Sequence, residues 1–336
     1  MEERKLHPVS FDPITDPAPW GSERWLVADL GYRDSVARGG WLDGNSIGDI
    51  METYLDRVTG DGVYNWYGRQ FPLLVREIRS NGGFPLLACP DDVTAYERYD
   101  CLGKTKLWYV LKTGPDAVIY HGLKRNLPAT EFYNGCMDGK IMGEIEAHRA
   151  VPGSFVLISP GEIHSIGGET TVLEIAESSA MDLRLYNWGR VDTKGEPDID
   201  LVDAFDMVRL SAGTAERISS APSSGPGQIV RLAECEQFSV SRVDLREALR
   251  ISSEGVDGCP VLYTCVSGAL SVQVHADDGK VDYINVGSGS TVLIPAEVTD
   301  FYLVPRLADT VLLESIAKAR MADDGNVPPY EGPEPD

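Results

Sequence analysis

Short runs of apolar, β-branched and aromatic residues, closed off by Gly, Pro or Asp, set the pattern of this chain. The clearest lie at 107–111, 155–158, 171–175, 261–266, 270–274 and 291–294. Short strands separated by turn signals predict a β-sandwich or barrel. Helical periodicity is sparse. Ser46 is a suitable N-cap for a segment that presents Ile47, Ile50, Met51 and Tyr54 on one face and stops near Thr59-Gly60. Two further helices are expected, one over 201–210, with Leu201, Val202, Phe205, Met207 and Val208, and one near 245–249.

Linker chemistry marks the divisions. The stretch 211–227 contains Ser-Ser-Ala-Pro-Ser-Ser-Gly-Pro-Gly, a composition that favours a connection over an element. It separates an N-terminal part, 1–210, from a C-terminal part, 228–320. The tail, 321–336, is rich in proline and acids and is expected to be disordered. The two parts echo each other. Val151-Pro-Gly-Ser-Phe-Val-Leu-Ile-Ser-Pro-Gly parallels Val286-Gly-Ser-Gly-Ser-Thr-Val-Leu-Ile-Pro-Ala, each a Gly turn, a buried strand and a Pro turn. That repeat predicts a mainly β fold of two cupin-type jelly-roll barrels, with a small helical segment in the N-terminal part.

Composition narrows the function classes. The 336 residues include 52 acidic and 30 basic ones, a net charge of −22. Such a chain lacks the basic footprint that nucleic acid or an anionic membrane requires. It still has room for a small phosphorylated substrate, which needs a few local cations. No apolar run is long enough to span a bilayer, and the start, Met-Glu-Glu-Arg-Lys-Leu, has no signal-peptide core, so the cytosol is expected. The six cysteines are scattered without a CxxC pair and read as reduced thiols.

Several motifs then fall in register. Phe71-Pro-Leu-Leu-Val-Arg, Pro90-Asp-Asp, Gly103-Lys-Thr-x-x-Trp-Tyr, Pro160-Gly-x-x-His, Glu174-Ile-x-x-Ser-Ser and Arg184-Leu-Tyr-x-Trp-Gly-Arg occur in this order, preceded by Trp20-Gly and Glu23-x-Trp25. In these the chain resembles the class I, zinc-dependent mannose-6-phosphate isomerases, over roughly residues 17 to 320. The resemblance implies two cupin barrels and a zinc ion that polarises the C1 and C2 oxygens of an open-chain sugar phosphate. It also implies four zinc ligands: Gln and His two apart on one strand, a Glu two after the Lys of Gly-Lys-Thr, and the His of Pro-Gly-x-x-His. Mixed nitrogen and oxygen ligands with one open position suit catalytic zinc.

At that locus the chain departs from the family. The Gln position is Leu87, the His position Cys89 and the Glu position Lys106; His164 alone is retained. Leucine cannot ligate. A lysine there removes an anion and adds a cation, which beside a dication at about 4 Å costs several kcal/mol even at an effective dielectric near 20. The expected cofactor is therefore none, with zinc remaining only if the site is rearranged. Cys89 reads more readily as a small core residue than as a nucleophile.

The resemblance keeps other positions. Lys104 matches the family lysine, and Arg184 matches an arginine placed near C1 and C2. Arg190 ends the same motif, with Asn187 where the family has Asp, and Pro85 replaces the serine before the Gln. The candidate catalytic residues are thus Lys104, Arg184 and His164, and the candidate sugar-phosphate contacts Lys104, Lys106 and Arg184. Three readings follow: a family member with lost or weakened zinc activity that binds a sugar phosphate or related anion; an aldose–ketose isomerase working through a rearranged or metal-free site; and an interaction cupin with no ligand. Leu270-Ser-Val-Gln-Val-His-Ala-Asp-Asp copies the missing ligand motif almost letter for letter, but no Gly-Lys-Thr-Glu follows it, so it reads as a hairpin strand.

Overall fold

The computed structural model describes residues 4–213, 215–222, 225, 227–253, 258–275 and 280–319. The tail expected to be disordered, 321–336, lies outside them. Two compact units are built, and neither is continuous in sequence: one comprises 1–14, 25–74 and 221–336, the other 15–24 and 75–220. This differs from the division expected at 210 and 228. The reason is strand pairing, because Val9 and Ser10 lie opposite Leu293 and Val292, so the N-terminal strand is stitched into the C-terminal sheet. The expected linker also contributes structure: Ser219 and Ser220 pair with Phe155 and Ser154.

The unit 15–24 with 75–220 is a β-barrel of two sheets. The seven-stranded sheet carries, in spatial order, Ser219–Ser220, Ser154–Ile158, Lys106–Thr113, Glu169–Glu177, Leu73–Asn81, Gly21–Val27 and Ile14–Ala18. The five-stranded sheet carries Leu183–Tyr186, Leu86–Ala88, His164–Gly167, Val118–Leu123 and Ile145–Arg149. Period-two alternation turns Trp108, Val110, Val172, Val156, Ile158 and Ile78 toward one core. A second core, with Leu86, Leu183, Leu185, Phe132 and Leu201, lies under the helix Ala129–Asp138.

The other unit pairs a seven-stranded sheet with a four-stranded one, and its core includes Tyr263, Val272, Val292, Phe301 and Leu312. Both members of the internal echo are strands, Ser154–Ile158 and Ser290–Ile294, and both are almost wholly buried. The near-copy of the ligand motif is the strand Ala269–His275, antiparallel to Val281–Gly287, with His275 exposed, as expected of a hairpin.

The helix after Ser46 forms over Ile47–Tyr54 with a full capping box: the Ser46 hydroxyl accepts from the Asp49 N–H, and Asp49 accepts from the Ser46 N–H. It ends earlier than expected, at Leu55, whose φ of 51° breaks it before a further turn over Asp56–Thr59. The expected helix over 201–210 shortens to Leu201–Ala204. The expected helix near 245–249 is absent; Leu245 closes one strand against Thr310 and Leu249 opens another against Leu303, and those ladders override the local pattern. Helices Asp61–Tyr67, Asp92–Tyr99 and Ala129–Asp138 form outside the segments where the pattern predicts helix.

Candidate functional site

The positions singled out by the sequence gather in the barrel of the unit 15–24 with 75–220. Leu87 lies opposite both His164 and Arg184 in neighbouring strands, so these three share a face, and alternation adds Cys89 to it. Leu87 is nonetheless part of the apolar core, with Phe84 and Trp108. A run of edge-to-face ring contacts fills this interior: Trp20 to Phe84 at 4.6 Å, Phe84 to Trp108 at 6.1 Å, and Trp108 to His164 at 5.1 Å.

Lys104 and Lys106 do come together, within a closed set of ion pairs. Asp182 Oδ2 accepts from Lys104 Nζ at 2.7 Å and from Arg76 Nη2 at 2.6 Å. Asp182 Oδ1 accepts from Lys106 Nζ, and Cys89 Sγ sits 3.4 Å away. Glu174 Oε1 accepts from Arg76 Nε at 2.8 Å, and its Oε2 accepts from Trp108 Nε1 at 2.8 Å. The same carboxylate lies 3.8 Å from Lys104 Nζ and 3.6 Å from Lys106 Nζ. Arg76 Nη1 reaches Glu23 at 3.1 Å. Three cations thus meet three carboxylates, and Lys104 and Lys106 have at most 1% of their side chains exposed.

The electrostatics follow from burial and pairing. Burial alone would pull the Lys106 ammonium down, yet the Asp182 carboxylate, with Glu174, outweighs it and holds the pKa above the usual range. Burial would raise Asp182, but Lys104, Lys106 and Arg76 hold it well below the ordinary carboxylate value. Glu174 is likewise held down against burial by Arg76, Lys106 and Lys104. Burial pushes the Cys89 thiol up to about 12, so it stays protonated.

His164 is wholly buried. Its Nδ1 is 2.8 Å from the Glu162 carbonyl, which can only accept, so Nδ1 carries the proton and Nε2 is bare. That Nε2 has no partner among the described residues. Burial, then the Lys106 charge, drives its pKa down to about 3. It is therefore neutral near pH 7 and a weak base.

Arg184 has other partners. Its guanidinium is held by Asp198 and by Asp200, the latter through Nε at 2.9 Å. Asn187 joins this group through Asp198 at 2.8 Å, and Arg190 donates to the Gly83 carbonyl at 2.7 Å.

These residues do not fit zinc. Leu87 has no donor atom and Lys106 presents an ammonium. The donor atoms of Cys89, His164 and Asp182 do converge within 4.8 Å of one another. However, both Asp182 oxygens are taken by cations and the thiol is protonated, so a dication would meet Lys104, Lys106 and Arg76 before it met a free anion. Sequence reasoning missed Asp182, Arg76 and Glu174 as members of this cluster. Arg76 and Glu174 lie inside the quoted motifs; Asp182 had no local signal beyond standing two residues before Arg184.

A mainly β chain of two barrels, with its candidate residues gathered in one of them, is a protein of the two-barrel cupin class. No family model matches the chain. It is 23% identical over 317 residues to the Bacillus subtilis protein named "Probable mannose-6-phosphate isomerase GmuF", covering 88% of this chain and 95% of that one. It is 24% identical over 263 residues to mannose-6-phosphate isomerase ManA of the same organism, covering 71% and 79%. In structure it matches a Bacillus subtilis mannose 6-phosphate isomerase at a TM-score of 0.78, with 20% identity, 92% of this chain and 99% of that one. It also matches a point mutant of the phosphomannose isomerase from Salmonella typhimurium at 0.73, with 12% identity, 93% and 99%. Within the cupins, the chain is similar at low identity, over most of its length, to the mannose-6-phosphate isomerases, and it shares their fold.

Proposed function

We propose that this protein is a mannose-6-phosphate isomerase-like cupin of carbohydrate metabolism, acting in the cytosol, that has given up zinc-dependent isomerisation and binds a sugar phosphate or related anion without turning it over. The observation that carries the loss is Lys106. It stands where the resemblance places an anionic ligand, and its buried ammonium is already neutralised by Asp182 and Glu174. Leu87 packed against Trp108 removes a second ligand. The ligand class comes from the relatives, which are named for mannose 6-phosphate.

A metal-free isomerase built on Lys104, Lys106 and Arg184 is less well supported. All three cations are paired with carboxylates, and a histidine with a pKa of about 3 is a poor general base.

The test combines elemental analysis of the purified full chain with a coupled mannose-6-phosphate isomerase assay, with and without added zinc. The expected result is neither stoichiometric zinc nor turnover. Stoichiometric zinc with turnover would overturn the proposal, and turnover without zinc would restore the metal-free reading.

A further inference from the structure

The turn after the strand Leu183–Tyr186 brings a cation and an aromatic face together. It is closed by the Arg190 N–H, which donates to the Asn187 carbonyl at 3.0 Å. Its two central residues, Trp188 and Gly189, have φ of 56° and 68°. Asn-Gly or Gly-Gly adopts such a left-handed pair readily. A bulky residue at the first position is strained, so the indole is held there at a cost to the backbone. Trp188 Nε1 donates to the Phe84 carbonyl at 2.8 Å, and the Tyr186 ring lies 5.5 Å away at a tilt of 48°. These contacts fix the indole, yet Trp188 remains 43% exposed. The turn is also away from the zinc locus: Phe84 stands five positions before Cys89, about 16 Å along an extended chain.

Arg190 supplies the charge. Its Nη1 donates to the Gly83 carbonyl at 2.7 Å and to Asn187 Oδ1 at 2.9 Å. Both acceptors are neutral. On a chain of net charge −22, no carboxylate pairs with this guanidinium among the described residues. Its Nε and Nη2 have no partner among those residues either, and neither atom is enclosed. These two nitrogens form one edge of the guanidinium. With the same edge Arg250 grips Asp300, at 2.8 Å from each nitrogen. The fork on Arg190 is thus held in place, charged and open, and it matches two oxygens of a phosphate.

Gly83 keeps the space between ring and fork clear. Its φ is +70°, and a Cβ there would fall 3.0 Å from Arg190 Nη2 and 3.8 Å from Trp188 Cδ1. A group seated in that gap touches both side chains.

We propose that the turn 187–190 binds a small phosphate carried on a ring, with Arg190 Nε and Nη2 on the phosphate and the exposed face of Trp188 against the ring. A pyranose offers an indole its C–H face and a nucleobase its π face, so a sugar phosphate and a mononucleotide share this chemistry. The inference does not rest on the reading of the zinc locus.

NMR titration of the full chain tests it, following the Trp188 indole N–H, assigned by its loss in Trp188→Gly, and the phosphorus signal of the ligand. The probes are mannose 6-phosphate and AMP, with inorganic phosphate as the control for the fork alone. At least one ring phosphate should shift the Trp188 signal saturably and bind more tightly than inorganic phosphate. Response to mannose 6-phosphate alone assigns a sugar phosphate, and response to AMP alone a nucleotide. Arg190→Gln should weaken binding roughly tenfold or more, as loss of charged hydrogen bonds predicts. Arg190→Lys, which keeps the charge without the fork, should weaken it several-fold. Trp188→Gly relieves the strained turn, so folding is preserved; it should weaken the ring phosphate several-fold and leave inorganic phosphate unchanged. A Trp188 signal unmoved by both ring phosphates up to about 10 mM would overturn the proposal. So would binding that survives Arg190→Gln unchanged. Zinc content and turnover are separate readouts, so failure here is distinguishable from failure of the proposed function.

Discussion

Replacing Lys106 by methionine is the sharpest perturbation of the buried network. The two side chains have similar length and volume, so little cavity is created and the loss is almost wholly electrostatic. Lys106 Nζ is bonded to Asp182 Oδ1 and lies 3.6 Å from Glu174. At an effective dielectric of 20, a unit pair at that separation is worth about 4–5 kcal/mol. Against this stands the desolvation of an ammonium whose side chain is wholly buried, which the mutation no longer incurs. The carboxylates remain buried, however, with three anions facing two cations. Removing one partner of a buried pair typically costs about 3–5 kcal/mol, and that is the expected loss.

The pH response supplies a second readout. In the native protein Asp182 and Glu174 are held below their usual values. Their contribution is therefore complete above the unfolded carboxylate pKa, near 4, and lost as pH falls below it. With Lys106→Met, an underpaired carboxylate should take up a proton near neutrality. The deficit against wild type should then shrink as pH drops toward 5. Urea denaturation followed by tryptophan fluorescence, with Trp108 reporting on this barrel, measures both effects. Adding Asp182→Asn should recover at least about half of the loss, because it restores the charge balance. A single variant within about 1 kcal/mol of wild type, with no coupling to Asp182, would refute the reasoning.

Three other outcomes are expected. Acid should destabilise the protein through His164: with a folded pKa of about 3 against 6.5, stability is fully present above pH 6.5 and falls by as much as roughly 4–5 kcal/mol as pH drops to 3; His164→Gln should flatten that slope in denaturation series. The triple change Leu87→Gln, Cys89→His and Lys106→Glu should create a zinc site, since the introduced carboxylate with Asp182, Glu174 and Glu23 leaves two negative charges beyond Arg76 and Lys104, matching a dication; equilibrium dialysis showing no zinc would count against the register drawn from the resemblance. Cys89, with its thiol pushed up to about 12, should resist iodoacetamide at pH 8 in the native protein and react once unfolded, and fast native labelling by mass spectrometry would contradict its burial.

What the sequence made legible was what local spacing controls. The capping box at Ser46 and Asp49 follows from residues three apart. The shared face of Leu87 and Cys89 follows from strand alternation, and both halves of the Gly turn–strand–Pro turn echo became buried strands. What it hid depends on pairing at a distance. Asp182 sits in a connection, and its role arises because Arg76, Cys89, Lys104 and Lys106 arrive from other strands and turns. The acidic partners of the candidate sugar-phosphate contacts Lys104, Lys106 and Arg184 are hidden from the sequence for the same reason. Around 245–249 a helical pattern yielded to two cross-strand ladders that only the folded chain supplies.

The charge at the centre of this barrel is carried on Lys106, and so it is covalently attached. A bound ion has a dissociation constant, exchanges with its surroundings and is lost to a chelator; a lysine has none of these liabilities. The ammonium is delivered with every copy of the polypeptide and is present at full occupancy from the moment of folding. Metal starvation and excess should therefore leave this barrel equally intact. In exchange, an ammonium offers no vacant coordination position at which a substrate oxygen could bind.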